Sequence, residues 1–461
     1  MAPLSALLLA AAIDGNAALQ HASALAALGP HPWGSTRDAA AALYVAAQMR
    51  AAGLGEVELQ RFERHGIQGT NVVGTLRAPD EEFLLVAAHH DSAPGAPGAY
   101  DDASGVGVLL ELARVLASEP ARTRSVVLVS FDGEEAWATG KGTTAGSRAF
   151  LERLGPRAGA LVGAFVIEMC GWKGGAPVLH PIAYADPRAA GQAVVAPGWL
   201  VRAALAGSRA SGAPLGVGDP YLSWLYQPAV RTFRVRLYGD DVSFLQSGRP
   251  ALFASDSSFS AFYPDYHKPS DVADRLDAGA LARTAQAALG VLRALDRVPR
   301  GAAEEPHWFA AFGHVIDWPW LLGLGVLSVV PGLFAGFAGG TLAFALRLLQ
   351  AAAFGLLLWS HPVPALWVFL APNLLLPFVR RWWTLLASLL PLTALVAIGV
   401  AAWWRGAASG VWLTPWQLGV AALALLLAFL DLGSGNAGGR ASSGRRGGSK
   451  RAPAPRKLGG R

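Results

Sequence analysis

Short runs of hydrophobic residues in the first two thirds of the chain end at histidine or acidic residues. Three of these runs are continuous and of strand length, at 83–88, 126–131 and 161–167. A continuous apolar run predicts a strand buried on both faces, as in a parallel sheet. Ligands bind beyond the carboxyl ends of such strands in α/β sheets. The polar residues that follow the runs are therefore expected to lie at one functional edge.

Other stretches predict the elements around these strands. Residues 57–62 and 69–75 alternate between apolar and polar positions, which indicates antiparallel strands. Helical periodicity occurs at 19–28, 37–54, 106–116 and 271–295. Ser270 is the expected N-cap of the last helix, with Asp271 and Asp274 in its first turn. The pattern predicts an α/β domain with a mixed, mainly parallel central sheet flanked by helices.

The pattern changes after residue 318. Between Pro319 and Asp431 the ionisable residues with a fixed charge are four arginines and one aspartate. The segment divides into five apolar stretches, each close to the ~20 residues that cross a bilayer core. They lie near 321–338, 341–359, 364–379, 383–403 and 414–431. We predict an all-α membrane region, because a soluble helical domain would not carry so few charges over this length.

Five units follow from these patterns. They are a short apolar N-terminus that could act as a weak signal (1–15), the α/β domain (16–300), an interfacial linker (301–319), about five transmembrane helices (320–431) and a disordered basic tail (432–461). The apolar N-terminus lacks a basic segment, which makes it a poor secretory signal. Aromatic residues concentrate around the linker, as at a bilayer interface, although packing against the domain would use the same residues.

The distribution of charge predicts the orientation in the membrane. The chain has a formal net charge of +6, but its last thirty residues carry eight Lys or Arg and no acid. With five spans, this tail and the Arg380-Arg381 loop share one side, which the positive-inside rule makes cytoplasmic. We therefore expect an integral membrane protein whose folded domain is extracytoplasmic. The lipid bilayer is the expected partner, and the basic pI gives no reason to expect nucleic acid.

The polar residues beyond the strands are two histidines and several carboxylates, without cysteine. They are His89, Asp91, Asp101, Asp102, Glu134, Glu135, Glu168 and His267. Imidazole with carboxylate is the donor set of a hydrolytic zinc site with open positions, or of Mn or Co. The single cysteine, Cys170, excludes an intrachain disulfide, and we expect it to be a small buried residue.

In order and spacing, these residues resemble the motifs of the M28 family of zinc aminopeptidases. The motifs are His89-His90-Asp91, Asp101-Asp102-Ala103-Ser104-Gly105, Glu134-Glu135, Glu168-Met169 and Tyr266-His267. Glu168 in place of the commoner Asp, followed by a Gly-rich turn, is similar to the endoplasmic reticulum metallopeptidase branch. The chain departs from many relatives at Gly239–Phe244, where a His is missing and Asp240 and Asp241 have no assigned role.

The resemblance implies a role for each matching residue. His89 and Glu168 would hold one zinc ion, Glu135 and His267 a second, and Asp101 would bridge the two. Asp91 would orient His89, and Glu134 would be the general base that activates the attacking water. Asp102 and Asp132 are expected to order loops. His90, between the ligand His89 and the orienting residue Asp91, is expected to be a variable position without a role.

The expected function is a membrane-anchored zinc exopeptidase that removes N-terminal residues from peptides. Two alternatives stay open. A glutaminyl-cyclase-like aminoacyltransferase uses a related fold with one zinc ion, and a receptor-like ectodomain would be non-catalytic. A metal-to-protein ratio near one, with cyclisation of N-terminal Gln, would favour the first. The presence of all five ligands and the base argues against the second.

Overall fold

A computed structural model describes residues 12–119, 122–135, 144–184, 193–218, 239–258, 262–299, 301, 308–311 and 314–317. All of them fall within one compact unit of the chain. The predicted spans at 320–431 and the basic tail lie outside the described residues, as does the apolar segment 1–11. No helix among the described residues is long and apolar enough to cross a bilayer.

Two of the helices begin at an aspartate whose side chain accepts N–H groups of the first turn. Asp14 accepts from Asn16 and Ala17, and Asp277 accepts from Ala280, as N-cap residues do. The described helices are α1 (Gly15–Ala26), α2 (Thr36–Ala51), α3 (Ser104–Ser118), α4 (Ala145–Leu154), α5 (Gly198–Ala210), α6 (Asp241–Gln246) and α7 (Ala278–Leu295).

The strands form one large mixed sheet and two small antiparallel pairs. They are β1 (Glu56–Arg64), β2 (Ile67–Leu76), β3 (Phe83–His89), β4 (Ser125–Phe131), β5 (Leu161–Ile167), β6 (Val178–His180), β7 (Ile182–Tyr184), β8 (Ala193–Val195), β9 (Gly216–Val217), β10 (Ala251–Ser255), β11 (Trp308–Ala311) and β12 (His314–Asp317). Within the described residues the large sheet has the order β1-β2-β4-β3-β5-β10-β6-β9.

The centre of the large sheet is parallel, as the continuous apolar runs predict. β3 pairs in parallel with β4 on one side and with β5 on the other. Every residue of β3 and β4 is buried. Helices α1, α3 and α7 pack against one another, and α5 packs against α7. The predicted α/β fold with a mixed, mainly parallel sheet flanked by helices is confirmed for the described residues.

Two segments differ from the sequence-based expectation or add to it. The predicted helix at 271–295 begins only at Ala278, because Asp277 is its N-cap, and Asp271 lies before it, outside any helix or strand. Ser270 is therefore not an N-cap. Beyond the predicted domain, Trp308 of β11 is buried, and its Nε1 donates to the carbonyl oxygen of Ala196 at 2.9 Å. The indole is thus part of the domain core.

Candidate metal centre

The polar residues that follow β3, β4 and β5 lie at the same edge of the sheet. His89 is the last residue of β3, Glu134 and Glu135 follow a glycine turn after β4, and Glu168 comes directly after β5. Because the three strands are parallel neighbours, their carboxyl ends meet. All four side chains are buried. The prediction that the strand ends bring these residues to one edge is met.

A turn at Ala99–Ala103, in which Asp101 and Asp102 have non-helical backbone angles, carries Asp101 to this edge. Asp271 holds the turn in place. Its Oδ1 accepts the N–H of Tyr100 at 2.8 Å and the hydroxyl of Tyr263 at 3.0 Å, and its Oδ2 accepts the N–H of Asp101 at 3.3 Å. A residue expected to begin a helix thus orders the backbone of a candidate ligand, a role that the sequence pattern did not indicate.

The carboxylate of Asp101 lies between the two histidines of the site. Its Oδ1 is 3.3 Å from His89 Nε2, and its Oδ2 is 3.1 Å from His267 Nε2. His267 Nε2 is also 2.8 Å from Glu135 Oε1. Ligand atoms of Asp101, Glu135 and His267 lie within 4.8 Å of one another. Each oxygen of Asp101 therefore faces one imidazole, which is the arrangement that a bridging ligand needs.

Asp91 joins the first histidine to the turn that carries both glutamates. Its Oδ1 accepts the N–H of Glu134 at 3.1 Å, and its Oδ2 accepts the N–H of Glu135 at 3.0 Å. His89 Nδ1 lies 3.0 Å from the main-chain carbonyl oxygen of Asp91 and 3.4 Å from its Oδ1. A carboxylate that faces the distal nitrogen of a metal-binding histidine fixes the orientation of the ring. Asp91 is placed for this role and also positions the two glutamates.

Asp102 orders backbone rather than facing the histidines. Its two oxygens accept the N–H groups of His89, Gly105 and Met169 at 3.0–3.1 Å. One buried carboxylate thus ties the end of β3 to the start of α3 and to the residue after Glu168. This is the loop-ordering role expected for it.

Burial and mutual repulsion dominate the electrostatics of the site. Burial, with repulsion from Asp101, raises the pKa of Glu135 to about 8. Burial, followed by repulsion from Glu168, raises the pKa of Glu134 well above its usual value. Burial alone would lower the pKa of His267, but Asp101 and Glu135 raise it to about 9. Several acidic side chains buried together can all be ionised only if positive charge lies among them.

The chemistry of the donors fits a divalent metal ion. Among the described residues, Glu135 Oε2 and His89 Nε2 are buried without a hydrogen-bond partner. Leaving buried polar atoms without partners is costly, and a bound cation would satisfy them. Imidazole nitrogen with carboxylate oxygen is a common donor set for zinc.

Glu168 and Glu134 lie near the ligand atoms of Asp101, Glu135 and His267 but are not part of that cluster. Glu168 is buried, and its Oε1 accepts the N–H of Asp240 at 3.2 Å. Asp240 is itself fully buried, and burial raises its pKa to about 7. The sequence left Asp240 without a role because only the fold brings it to Glu168.

Tyr266, which had no role predicted from the sequence, contacts the candidate ligand His267. Its ring stacks on that of His267 with centroids 3.7 Å apart and planes 24° apart. Tyr266 precedes His267 in the Tyr-His motif, and this adjacency was the sequence feature that could have indicated the contact.

Comparisons with known proteins agree with the motifs. Residues 71–292 match the model of peptidase family M28. Endoplasmic reticulum metallopeptidase 1 from Mus musculus is 26% identical over 233 residues, covering 49% of this chain and 22% of the relative. The chain spans about a fifth of the length of such curated relatives.

Solved structures with a similar arrangement include two kinds of enzyme. The zinc aminopeptidase BSAP from Bacillus subtilis is 15% identical, with a TM-score of 0.48 over 61% of this chain and 94% of that one. The glutaminyl cyclase from Fimbriiglobus ruber is 20% identical, with a TM-score of 0.49 over 61% of this chain and 95% of that one.

Proposed function

We propose, from the premise that residues 71–292 form a metallopeptidase domain of family M28, that this chain is a membrane-anchored zinc aminopeptidase. The observation that carries the proposal is the position of Asp101, whose two oxygens face His89 and His267 separately. One carboxylate between two imidazoles is suited to two neighbouring ions. We therefore propose two zinc ions per chain, with peptides as substrates.

Each residue has a task in this proposal. His89 and Glu168 would hold one ion, Glu135 and His267 the other, and Asp101 both. Bound zinc would polarise the scissile carbonyl and lower the pKa of water to about 7. The remaining chemistry is proton transfer by the protein.

Glu134 is the residue proposed to move that proton. Burial and repulsion from Glu168 raise its pKa, so its carboxylate binds a proton readily and can pass it to the leaving amine. Asp91 holds the backbone N–H of Glu134 at 3.1 Å and thereby fixes the position of the base relative to His89. Glu134 and the proposed ligand Glu135 are thus held on one turn by the same carboxylate.

The membrane anchor is proposed from the sequence. The apolar segment 320–431 would supply the spans, and the basic residues after it support an extracytoplasmic position for the domain. The Mus musculus relative is named after the endoplasmic reticulum, a membrane-bounded compartment, which agrees with a membrane setting.

The test is a substrate panel assayed with metal analysis of the purified full-length protein. We expect release of the first residue from peptides with a free N-terminal amine, no release from the same peptides after N-acetylation, and two zinc ions per chain. Cyclisation of N-terminal Gln with one zinc ion per chain would instead identify a glutaminyl cyclase. A fully metal-loaded protein that acts on neither substrate would contradict an enzymatic function.

A further inference from the structure

A second buried group of metal-ligand atoms lies close to the candidate centre but does not include its residues. It consists of Asp38 in the first turn of α2, His90 after β3 and Asp132 after β4. One ligand atom from each residue lies within 4.8 Å of the others, and all three side chains are at most 4% exposed. Side chains of neighbouring residues along an extended chain point in opposite directions, so His90 faces away from His89.

Each carboxylate in this cluster has one oxygen held by backbone and one left over. Asp38 Oδ2 accepts the N–H of Gly34 at 2.9 Å, and Asp132 Oδ2 accepts the N–H of Thr70 at 2.6 Å. Asp38 Oδ1 and Asp132 Oδ1 are buried without a hydrogen-bond donor. The backbone thus fixes both carboxylates while leaving one acceptor on each available to a ligand.

The imidazole of His90 is arranged in the same way. Its Nδ1 lies 2.9 Å from Ser130 Oγ, whereas its Nε2 is buried without a hydrogen-bond partner. A metal-binding histidine commonly donates its distal N–H to such a neighbour, which leaves the other nitrogen's lone pair free for the metal. His90 Nε2 lies 3.7 Å from Asp38 Oδ1. Two donors bound to one zinc ion at ~2.0–2.1 Å in tetrahedral geometry are about 3.4 Å apart.

The charges around the cluster favour a bound cation. Two carboxyl groups and one imidazole lie together in a buried place, and no Lys or Arg among the described residues forms an ion pair with them. Removing such charges from water is expensive unless an opposite charge compensates for them.

We propose that Asp38, His90 and Asp132 hold a divalent cation of the zinc class, distinct from the ions of the candidate catalytic centre. The three ligands come from α2, from the end of β3 and from the end of β4. The ion therefore fastens α2 to the sheet edge that carries His89 and Glu134. Its role is structural, since one nitrogen and two carboxylates, each already held by backbone or by Ser130, form a rigid site.

The experiment counts metal ions in the full-length protein by mass spectrometry after dialysis against Zn²⁺ and gel filtration. A background variant, His89→Ala with His267→Ala, removes both imidazoles of the catalytic centre. We expect this background to retain about one ion per chain that is lost when Asp38→Asn or His90→Gln is added. Zn²⁺ should raise the thermal unfolding midpoint of the background, and this rise should disappear with Asp38→Asn.

Asp256→Asn is the matched control. Asp256 is another buried aspartate with one unpartnered oxygen, and its Oδ2 accepts the N–H groups of Gly171 and Trp172. It belongs to neither group of ligand atoms among the described residues, so the metal count should not change.

If the background does not fold, the comparison is made in the wild type, where Asp38→Asn should remove one ion and leave peptidase activity measurable. Equal metal counts in the wild type and Asp38→Asn would overturn the proposal and identify Asp38 and Asp132 as a proton-sharing pair. In the background variant the catalytic imidazoles are absent, so the count of the ion held by Asp38, His90 and Asp132 does not depend on the proposed peptidase function; in the wild type, the loss of one ion is read from the metal count alone.

Discussion

Neighbouring glutamates at the end of β4 are expected to differ in role because their surroundings differ. Glu135 lies 2.8 Å from His267 within the cluster of ligand atoms, whereas Glu134 lies outside it. Burial raises the pKa of both side chains. The same substitution at the two positions therefore separates proton transfer from metal binding.

We expect Glu134→Gln to keep its metal and fold but to lose about 10²–10⁴-fold in turnover, the usual contribution of a general base. Glu135→Gln, its matched control, should lose metal as well as activity. The measurements are kcat on an N-terminal residue substrate and zinc per chain. Unchanged turnover in Glu134→Gln would rule out this residue as the base.

At the scale of the element, the start of α3 is packed against the site without spare room. A Cβ on Gly105 would lie 2.5 Å from Asp102 Oδ2 and 2.5 Å from the carbonyl oxygen of Ile167. Replacing glycine by alanine in a helix ordinarily stabilises it by about 1 kcal/mol. Here the added methyl would displace the carboxylate that holds His89, Gly105 and Met169.

Gly105→Ala should therefore reduce the free energy of unfolding by about 1–3 kcal/mol, the usual cost of overpacking. Gly159→Ala is the control, since the nearest atom to its Cβ would be an Arg249 nitrogen at 3.9 Å. Thermal or denaturant unfolding of both variants measures the difference. A Gly105→Ala protein as stable as the wild type would show that this junction can relax.

At the scale of the whole molecule, the buried Trp308 indicates where the folded unit ends. Trp308 lies eight residues beyond the predicted domain limit at 300. It is 2% exposed, and its Nε1 donates a hydrogen bond to the carbonyl oxygen of Ala196. A fragment that stops at residue 300 would lack this side chain. Loss of a buried Trp side chain commonly costs ~3–5 kcal/mol.

We expect a fragment of residues 12–317 to be soluble, to bind metal and to be active, because the candidate ligands all precede the apolar segment. A fragment of residues 12–300 should unfold at a lower temperature. Circular dichroism melting and metal analysis of the pair test this. If the longer fragment folds and binds metal but is inactive, the segment after 317 completes the site.

Sidedness is the remaining whole-molecule prediction, and it rests on the apolar segment and the basic tail. With five spans, protease added to intact cells or spheroplasts should digest the domain at 16–300 and spare the tail at 432–461. Antibodies to each part provide the readout, and detergent-lysed cells are the control. Protection of the domain together with the tail would require an even number of spans, as would follow from loss of the 364–379 segment.

The sequence by itself determined the central sheet and the kinds of residue at its edge. Continuous apolar runs specify buried parallel strands, and such strands place whatever follows them at one edge. The positions of His89, Glu134 and Glu168 followed from that local rule. The resemblance of the motifs supplied the roles, because local pattern fixes where a side chain lies along its own strand and not what it binds.

Only the tertiary structure decided which distant residues meet. Asp271 reaches the backbone of Asp101, and Asp38 on α2 comes to His90 and Asp132, through packing between segments far apart in the chain. Neither encounter leaves a periodic pattern, since each depends on how helices and loops settle on the completed sheet. Likewise, Asp271 accepts the N–H of Tyr100 and the hydroxyl of Tyr263 and is not part of α7, which begins at Ala278 after its N-cap Asp277. The pattern within a segment can be recognised from the local sequence, whereas the contacts between segments depend on the free energy of packing the whole domain.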